Sequence, residues 1–571
     1  MPKVLLGLLA VLGACGEARH PDEGVPAARQ DAAERHAARF MVAAANPHAV
    51  EAGLAVLRAG GNALDAAIAA QMVLGFVEAP ETGIGGGGFL LYRDAASGAL
   101  HVYDGRETAP AAAGAERFRP YGVTLPWPLA VISGRAVGVP GLVAMLAQAH
   151  AAHGVLPWPA LLEPAAVLAE QGVPMPARLG QQLEDAPLLG WFGDMRTYFL
   201  RQARGTPQRV VNPAYAATLR TLARNGPEAF YAGPVARDFV ARARARRWLP
   251  SDLTLADFAS YAPRERRPLC RPYRSYTVCS IGPPSSGGIA LLQMLGMLSR
   301  FDLAALAPGS VDAVHLVAEA SRLAFADRER FVGDPDFVDV PTVALLDAEY
   351  LARRAALIDR ARARREAPAG APPRRAVAAI PNLPAARDGG TSHLSVVDGA
   401  GNVVALTSSN EAPFAGRMMT RGFLLNNQLT DFSFAPELDD RPHPNRVAAG
   451  KRPRSSMTPV IVLDATGEVK LVLGSRGGSR IIGYVAKALV GVLDWGLDVQ
   501  AAIALPNFVH RGAVLELEQG TPLARQAAAL EARGHDVAVR ALGSGLHGIE
   551  RVVDGWRGGA DPRLDGVARG E

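Results

Sequence analysis

A threonine preceded by two glycines, Gly389-Gly390-Thr391, opens the stretch Thr391-Ser392-His393-Leu394-Ser395-Val396-Val397, which reads as a β-strand. Glycine reaches backbone angles closed to other residues, so the bond ahead of Thr391 can be turned toward its own side chain. Attack of the Thr391 hydroxyl on the Gly390 carbonyl would convert the peptide to an ester, and hydrolysis would leave Thr391 as a new N-terminus. The freed α-amino group has an ordinary pKa of about 7.7 to 8.0, suited to a general base near neutrality. One residue would then serve as nucleophile and base, with no histidine required. Taken alone, Gly-Gly-Thr is also what an ordinary loop end looks like.

A second stretch, Gly474-Ser475-Arg476-Gly477-Gly478-Ser479-Arg480, lies between a strand pattern and a helix pattern. Consecutive glycine N–H groups there can face a developing oxyanion, helped by the positive end of the following helix. Read without Thr391, it is a tight strand-to-helix turn. Gly83-Ile84-Gly85-Gly86-Gly87-Gly88 fits a dinucleotide-binding pattern, but a helix precedes it and a strand follows, the reverse of what that motif needs. These glycines are instead expected to allow close backbone approach in the core. The chain has no G-x-S-x-G elbow, H-E-x-x-H pair or C-x-x-C pair, and its histidines do not cluster at metal-ligand spacing.

The elements that must position these residues follow from local pattern. Asn46-Pro47 starts a helix with Val50, Leu54 and Leu57 on one face, stopped at Gly60-Gly61. A second helix, from about Leu64 to Val77, is apolar nearly all round and therefore buried between layers. Phe89 to Tyr92 is a strand, and the region from about Val137 to Pro263 is mostly helical with no assignable chemistry. Residues 361–390 are rich in Ala, Arg and Pro without apolar periodicity, and read as a mobile surface segment. After Thr391 a turn at Asp398 to Asn402 leads into a returning strand from Val403, then a strand at Lys470 to Leu473 and an apolar helix at Ile481 to Leu493. A helix from about Leu523 to Arg533 and a strand at Asp536 to Val539 complete the pattern. The alternation predicts a layered α/β fold.

The 571 residues are 49% apolar with a net charge of +5, an ordinary globular composition. The arginine runs at Ala243 to Arg247 and Ala352 to Arg365 lack interleaved aromatics and read as solvated helix faces, which argues against nucleic-acid binding. Met1 to Cys15 has one positive charge, Lys3, and an apolar run too short to span a membrane, the pattern of an export signal. Leu12-Gly13-Ala14-Cys15 resembles a bacterial lipobox. This predicts a leader over 1–15, lipidation at Cys15, a polar tether over 16–39 and a periplasmic, membrane-anchored lipoprotein; the alternative is an ordinary signal peptide. Cys270 and Cys279 flank a hairpin pattern and are either a disulfide or two buried thiols.

Taken together, these residues resemble the γ-glutamyltransferases (γ-glutamyltranspeptidases) of the N-terminal nucleophile hydrolase superfamily. The match runs from about Ala43 into the C-terminal region, through Ala59-Gly60-Gly61-Asn62-Ala63, Gly105-Arg106-Glu107-Thr108-Ala109-Pro110, Pro283-Pro284-Ser285-Ser286-Gly287-Gly288, Ala326-Asp327-Arg328, Gly333-Asp334-Pro335-Asp336, Asn426-Asn427-Gln428, Lys451-Arg452-Pro453 and Ser455-Ser456-Met457. The resemblance implies a four-layer αββα sandwich. It further implies a proenzyme cut between Gly390 and Thr391 into a large subunit, 40–390, and a small catalytic subunit, 391–571. The implied activity is that of a glutathione hydrolase, moving the γ-glutamyl group to water, amino acids or peptides, with no metal or organic cofactor.

Carried over by position, the resemblance makes Thr391 the nucleophile, Ser409 the hydroxyl beside it where the family has Thr, and Gly477 and Gly478 the oxyanion hole. Arg106, Ser455 and Ser456 would hold the donor's α-carboxylate, and Gln428 and Asp431 its α-ammonium, assignments that suit the chemistry of each group. Two departures stand out. Glu411 replaces an Asn of the amine site and is expected to add negative charge, and Ser433 to Gly450 is short and lacks the Tyr of the usual lid, which predicts a more open site. The alternatives are a glutaryl or β-lactam side-chain acylase on the same scaffold and a catalytically silent envelope binding protein.

Overall fold

The computed structural model describes residues 35–372 and 390–571; Cys15 and Gly389 lie outside them. Asn46 caps the helix Pro47–Arg58 by accepting from the His48 amide at 2.9 Å, with Pro47 at the first helical position, as its sequence predicts. The next helix, Ala63–Val77, starts with a capping box between Asn62 and Asp65 and is buried on every side. Its lack of a polar face therefore reflects a position between layers.

Two seven-stranded sheets form the centre. The first runs in the order Val567–Gly570, Met41–Ala44, Gly390–Val397, Val403–Glu411, Gly87–Arg93, Leu100–Gly105 and Arg264–Arg266; the second in the order His36–Ala37, Gly555–Ala560, His547–Val552, Val469–Gly474, Val460–Leu463, Tyr276–Ser280 and Leu269–Tyr273. All neighbours within both sheets are antiparallel. Alternation along each strand sends side chains to opposite faces. Leu90, Leu394, Val396, Val404 and Leu406 pack outward against helices including Ala63–Val77, Leu142–His153 and Trp158–Gln171. Met41, Phe89, Leu91, Val397 and Ala405 face inward and meet Ile461, Val472, Ile549 and Trp556 of the second sheet. The second sheet's other face, with Val278, Val462 and Leu473, carries Gly287–Leu298, Val311–Phe331 and Ile481–Leu493. The result is the αββα sandwich.

The strand of Thr391 sits centrally, between Met41–Ala44 and Val403–Glu411. Both sheets interleave strands from before and after Thr391, so a cut there leaves the two pieces joined through backbone ladders. Gly83 to Gly88 behave as a close-approach segment: a Cβ on Gly86 would lie 2.1 Å from the Ser409 carbonyl oxygen. The turn after the Thr391 strand is fixed by Asp398, which accepts from the Ala400 and Asn402 amides at 2.9 Å and from the Ala63 amide at 2.9 Å, tying the hairpin to the buried helix.

Three expectations change in detail. The tether read over 16–39 is ordered before its end, because His36–Ala37 pairs with Trp556 and Arg557 at the edge of the second sheet. The described part of the segment read as mobile, residues 361–372, is docked instead. Its backbone amides find partners that apolar periodicity does not reveal: Ala363 donates to the Arg533 carbonyl at 2.7 Å, Arg364 to Glu319 at 3.1 Å and Gly370 to Asp327 at 2.7 Å. Third, the start of the helix read from Leu523 is a 3-10 turn, Pro522–Gln526, before the helix Ala527–Ala532.

Cys270 and Cys279 stand opposite one another in the hairpin Leu269–Tyr273/Tyr276–Ser280, with a 2.07 Å bond between their sulfurs. Closing a loop this short stabilises by about 2–3 kcal/mol through the unfolded chain. Thiol titration of the denatured, unreduced protein should detect neither residue, and the double replacement Cys270→Ser, Cys279→Ser should lower the thermal midpoint with the fold retained.

Candidate active site

The register of the central hairpin slips at one point. Gly390 pairs with Glu411 and Thr391 with Ser409, leaving Asn410 as an extra residue opposite the Gly390–Thr391 bond. Such a bulge re-aims the groups around it. Here the Ser409 hydroxyl donates to the Gly390 carbonyl oxygen in a short hydrogen bond, while accepting from the Thr391 hydroxyl at 3.3 Å and from the Glu411 amide at 2.8 Å. Thus one hydroxyl touches both the Gly390 carbonyl oxygen and the Thr391 hydroxyl oxygen. Thr391 and Ser409 are buried at 4% and 2% exposure, which strengthens both contacts.

The second glycine stretch follows the strand Val469–Gly474. That strand's end lies against the Thr391 strand, since a Cβ on Gly474 would meet the His393 ring at 2.3 Å. Gly477 has φ 126°, an angle open to glycine, and a Cβ there would strike the Tyr484 ring at 2.7 Å. Gly478 begins the short 3-10 turn Gly478–Arg480, which leads into the helix Ile481–Leu493. Arg476, one residue ahead of Gly477, is connected to Thr391 through Glu81. The carboxylate accepts from the Thr391 amide at 3.1 Å and lies 3.0 Å from Arg476 Nη2.

The residues read as a donor pocket converge. Arg106 is fully buried; its Nε donates to the Pro453 carbonyl at 3.1 Å, and its Nη2 donates to the Arg454 carbonyl at 3.2 Å and makes a short ion pair with Asp431. Gln428 donates to the same Asp431 oxygen at 2.9 Å. Ser456 accepts from Arg328 Nη2 at 2.8 Å, leaving its own proton available to a ligand. Ser455 is turned into its own loop, where its hydroxyl accepts from the Met457 amide at 3.1 Å and its carbonyl accepts from the Ser286 amide at 2.9 Å. A cation and an anion already in contact offer both halves of a zwitterion's recognition on one spot.

Glu411 corrects the expectation of added charge. It adopts φ 84°, is buried, and receives a short hydrogen bond from Asn427 and one from Thr430 at 3.3 Å. Burial, reinforced by Asp431, pushes its carboxyl up to about 8, so at neutral pH it is largely protonated. The 433–450 stretch forms a small hairpin, Glu437–Leu438 with Arg441–Pro442, pinned by an Asp439–Arg330 ion pair at 2.7 Å. Its Asn445 side chain donates to the Asp431 carbonyl at 2.8 Å, so the short lid buttresses the pocket.

Three participants escaped the sequence reading. Arg328, whose Nε donates to Ser286 at 2.8 Å, supports both serine loops; burial and then Arg454 lower its pKa to about 10, which leaves it charged. It lies in the family-like stretch Ala326-Asp327-Arg328. Glu81 stands two residues ahead of the glycine-rich stretch Gly83 to Gly88. Arg178, which approaches Glu81 at 3.7 Å, comes from the helical region to which no chemistry was assigned. Only folding brings these three to the site.

A two-sheet sandwich with a hydroxyl residue opening a central strand is the arrangement of the N-terminal nucleophile hydrolases, and the known structures agree. A cephalosporin acylase from Bacillus halodurans superposes with a TM-score of 0.83 at 27% sequence identity, covering 97% of this chain and 99% of the other. The glutathione hydrolase proenzyme of Escherichia coli (strain K12) is 34% identical over 540 residues, 92% of this chain and 90% of that protein. The acylase ACY 1 proenzyme of Pseudomonas sp. (strain SE83) is also 34% identical, over 93% of each chain. The model of the gamma-glutamyltranspeptidase family matches residues 49–571. The chain belongs to the gamma-glutamyltranspeptidase family, a family of hydrolase and transferase enzymes.

Two outcomes follow from this geometry. Ser409→Ala should slow cleavage at Gly390–Thr391 by about 100-fold, the usual loss for one carbonyl-polarising donor, and Ser409→Thr should restore it; a time course on denaturing gels reads both. Glu107, beside Arg106, is buried with neither oxygen hydrogen-bonded among the described residues, and burial pushes its carboxyl up to about 8. A carboxyl raised in the folded state contributes stability that is complete below its ordinary pKa and is lost as pH rises through 8. Thermal midpoints measured from pH 5 to 8.5 should therefore fall more steeply for the wild type than for Glu107→Gln.

Proposed function

We propose that this chain is a proenzyme that cuts itself between Gly390 and Thr391 and then transfers γ-glutamyl groups from amides such as glutathione to water, amino acids or peptides. The observation that carries the first half is the bulged hairpin, in which the Ser409 hydroxyl links the Thr391 hydroxyl to the Gly390 carbonyl. The Thr391 oxygen attacks the carbonyl carbon, the C–N bond breaks, and the hydroxyl proton passes to the departing nitrogen. Water then hydrolyses the ester, giving a Gly390 carboxylate and a free Thr391.

In the mature enzyme the same hydroxyl attacks the donor's side-chain amide. The α-amino group takes the hydroxyl proton and delivers it to the leaving amine, while the Gly477 and Gly478 amides receive the oxyanion. An ester to Thr391 results, and water or an acceptor amine resolves it.

The Arg106–Asp431 pair supports γ-glutamyl over glutaryl donors. A γ-glutamyl group carries carboxylate and ammonium on one carbon, so it can replace each member's partner with a matching charge. A glutaryl group lacks the ammonium and would separate the pair while leaving Asp431 uncompensated, a cost that favours rejection. The acylases among the relatives keep the second reading in view, and a silent binding protein is disfavoured by the set Thr391, Ser409, Gly477, Gly478 and Arg106. The leader pattern supports export, with a lipid anchor at Cys15 holding the enzyme in the periplasm.

Purified protein should contain a fragment beginning Thr-Ser-His-Leu by N-terminal sequencing. Thr391→Ala should remain one band and lose amide hydrolysis by a factor on the order of 1,000 or more. Of paired chromogenic amides, the γ-glutamyl compound should be turned over faster; turnover of the glutaryl compound alone would establish the acylase reading instead.

A further inference from the structure

The carboxylate of Glu81 is the most tightly placed charged group at the catalytic threonine. It is fully buried, and one of its oxygens accepts from the Thr391 amide at 3.1 Å. The other oxygen faces Arg476 Nη2 at 3.0 Å and Arg178 Nη2 at 3.7 Å and receives a short hydrogen bond from the Gln182 amide. Within the Thr391 strand, Met41–Ala44 pairs only with Leu394 to Val397, so Thr391 has a strand neighbour on one side alone, at Ser409, and its amide is given to Glu81. A buried carboxylate is tolerated when it is paired, and here Arg476 and Arg178 lie on one oxygen while the other is directed at the Thr391 nitrogen.

We propose that Glu81 is the positioning residue of the catalytic amine: once Gly390–Thr391 is cut, its carboxylate holds the α-amino group of Thr391 and ties it through Arg476 to the oxyanion loop. This rests on the self-cleaving amidase reading above. The strand ladder keeps Thr391 in place when Gly390 departs, so the new amine appears where the amide already meets Glu81. As the threonine attacks a donor, its hydroxyl proton moves to that amine; Glu81 stabilises the ammonium until the proton passes to the leaving group.

An anion beside the amine favours the protonated form and therefore sets the pH at which the free base appears. Other charges near the carboxylate act on the same balance. Arg178 and Arg476 oppose it, and Asp565 holds Arg178 by accepting from its amide at 3.0 Å. Glu78, on the turn before Glu81, is pushed up to about 8 by burial and by Glu81. Glu411, opposite Gly390 in the ladder, is largely neutral below that range for the reason given above.

The test is the pH dependence of kcat/KM, measured with whichever chromogenic amide the wild type hydrolyses. Glu81→Gln keeps the acceptor oxygen but removes the charge; its acid limb should shift to lower pH by about one unit. Arg178→Met removes an opposing charge and should shift the limb the other way, to higher pH. An unchanged limb in cleaved Glu81→Gln overturns the inference; if that variant stays uncut, an unchanged limb in Arg178→Met does so. Both results are read against a cleaved, active wild type. Absence of cleavage or turnover in the wild type would instead count against the functional reading.

Discussion

A peptide bond in the middle of a β-sheet is normally the best protected bond in a protein, with its carbonyl committed to the ladder and its plane held between neighbours. Gly390–Thr391 lies at the start of its strand, where Val403–Glu411 is the one pairing neighbour, and the bulge there removes that protection. It releases the Gly390 carbonyl from regular pairing and gives it to the Ser409 hydroxyl, which also touches the Thr391 oxygen. The rest of the structure can be understood as support for that slip. The glycines of 83–88 let the neighbouring strand run close to Ser409, the buried helix Ala63–Val77 braces the outer face, and the second sheet brings its glycine loop to the inner face.

The cluster around Arg106 follows a related economy of charge. Arg106 and Asp431 are held in contact within a shell of backbone carbonyls and side-chain amides. An isolated buried guanidinium would be very unfavourable, and Asp431 compensates the charge of Arg106. Glu411 avoids the same difficulty by holding its proton. Arg328 and Arg454 share Glu329, with Arg454 Nη2 donating to its two oxygens at 2.7 and 2.8 Å, and this cationic cluster anchors the serine loops from behind.

The helices Pro47–Arg58 and Ile481–Leu493 were legible from the sequence because cap residues and apolar spacing are local signals. The central hairpin was legible for the same reason, from alternation broken by Asp398 to Asn402. The bulge was not, because register is decided by pairing across strands. Glu411 shows a different limit: its residue type suggests a negative charge, whereas its protonation is set by burial and by Asp431. Residues 361–372 lacked periodicity and looked unattached, yet their order comes from single hydrogen bonds to Glu319, Asp327 and Arg533, which leave no trace in a hydropathy pattern. Glu81 and Arg178 were hidden by distance along the chain.

The interleaving of strands from both sides of Thr391 means that the proposed cut there would change the kinetics of the molecule's own life history. Before the cut, every contact in the sandwich forms within one chain, and assembly is first order. After it, neither piece retains a complete sheet, so separating them means dismantling both hydrophobic layers, and dilution alone offers no route to free subunits. Once separated, however, the pieces would have to find each other by collision, with a rate that depends on concentration. Cleavage there would thus act as a ratchet: a fold reached easily in one direction would become, for the cut molecule, a state that is slow to leave and hard to regain.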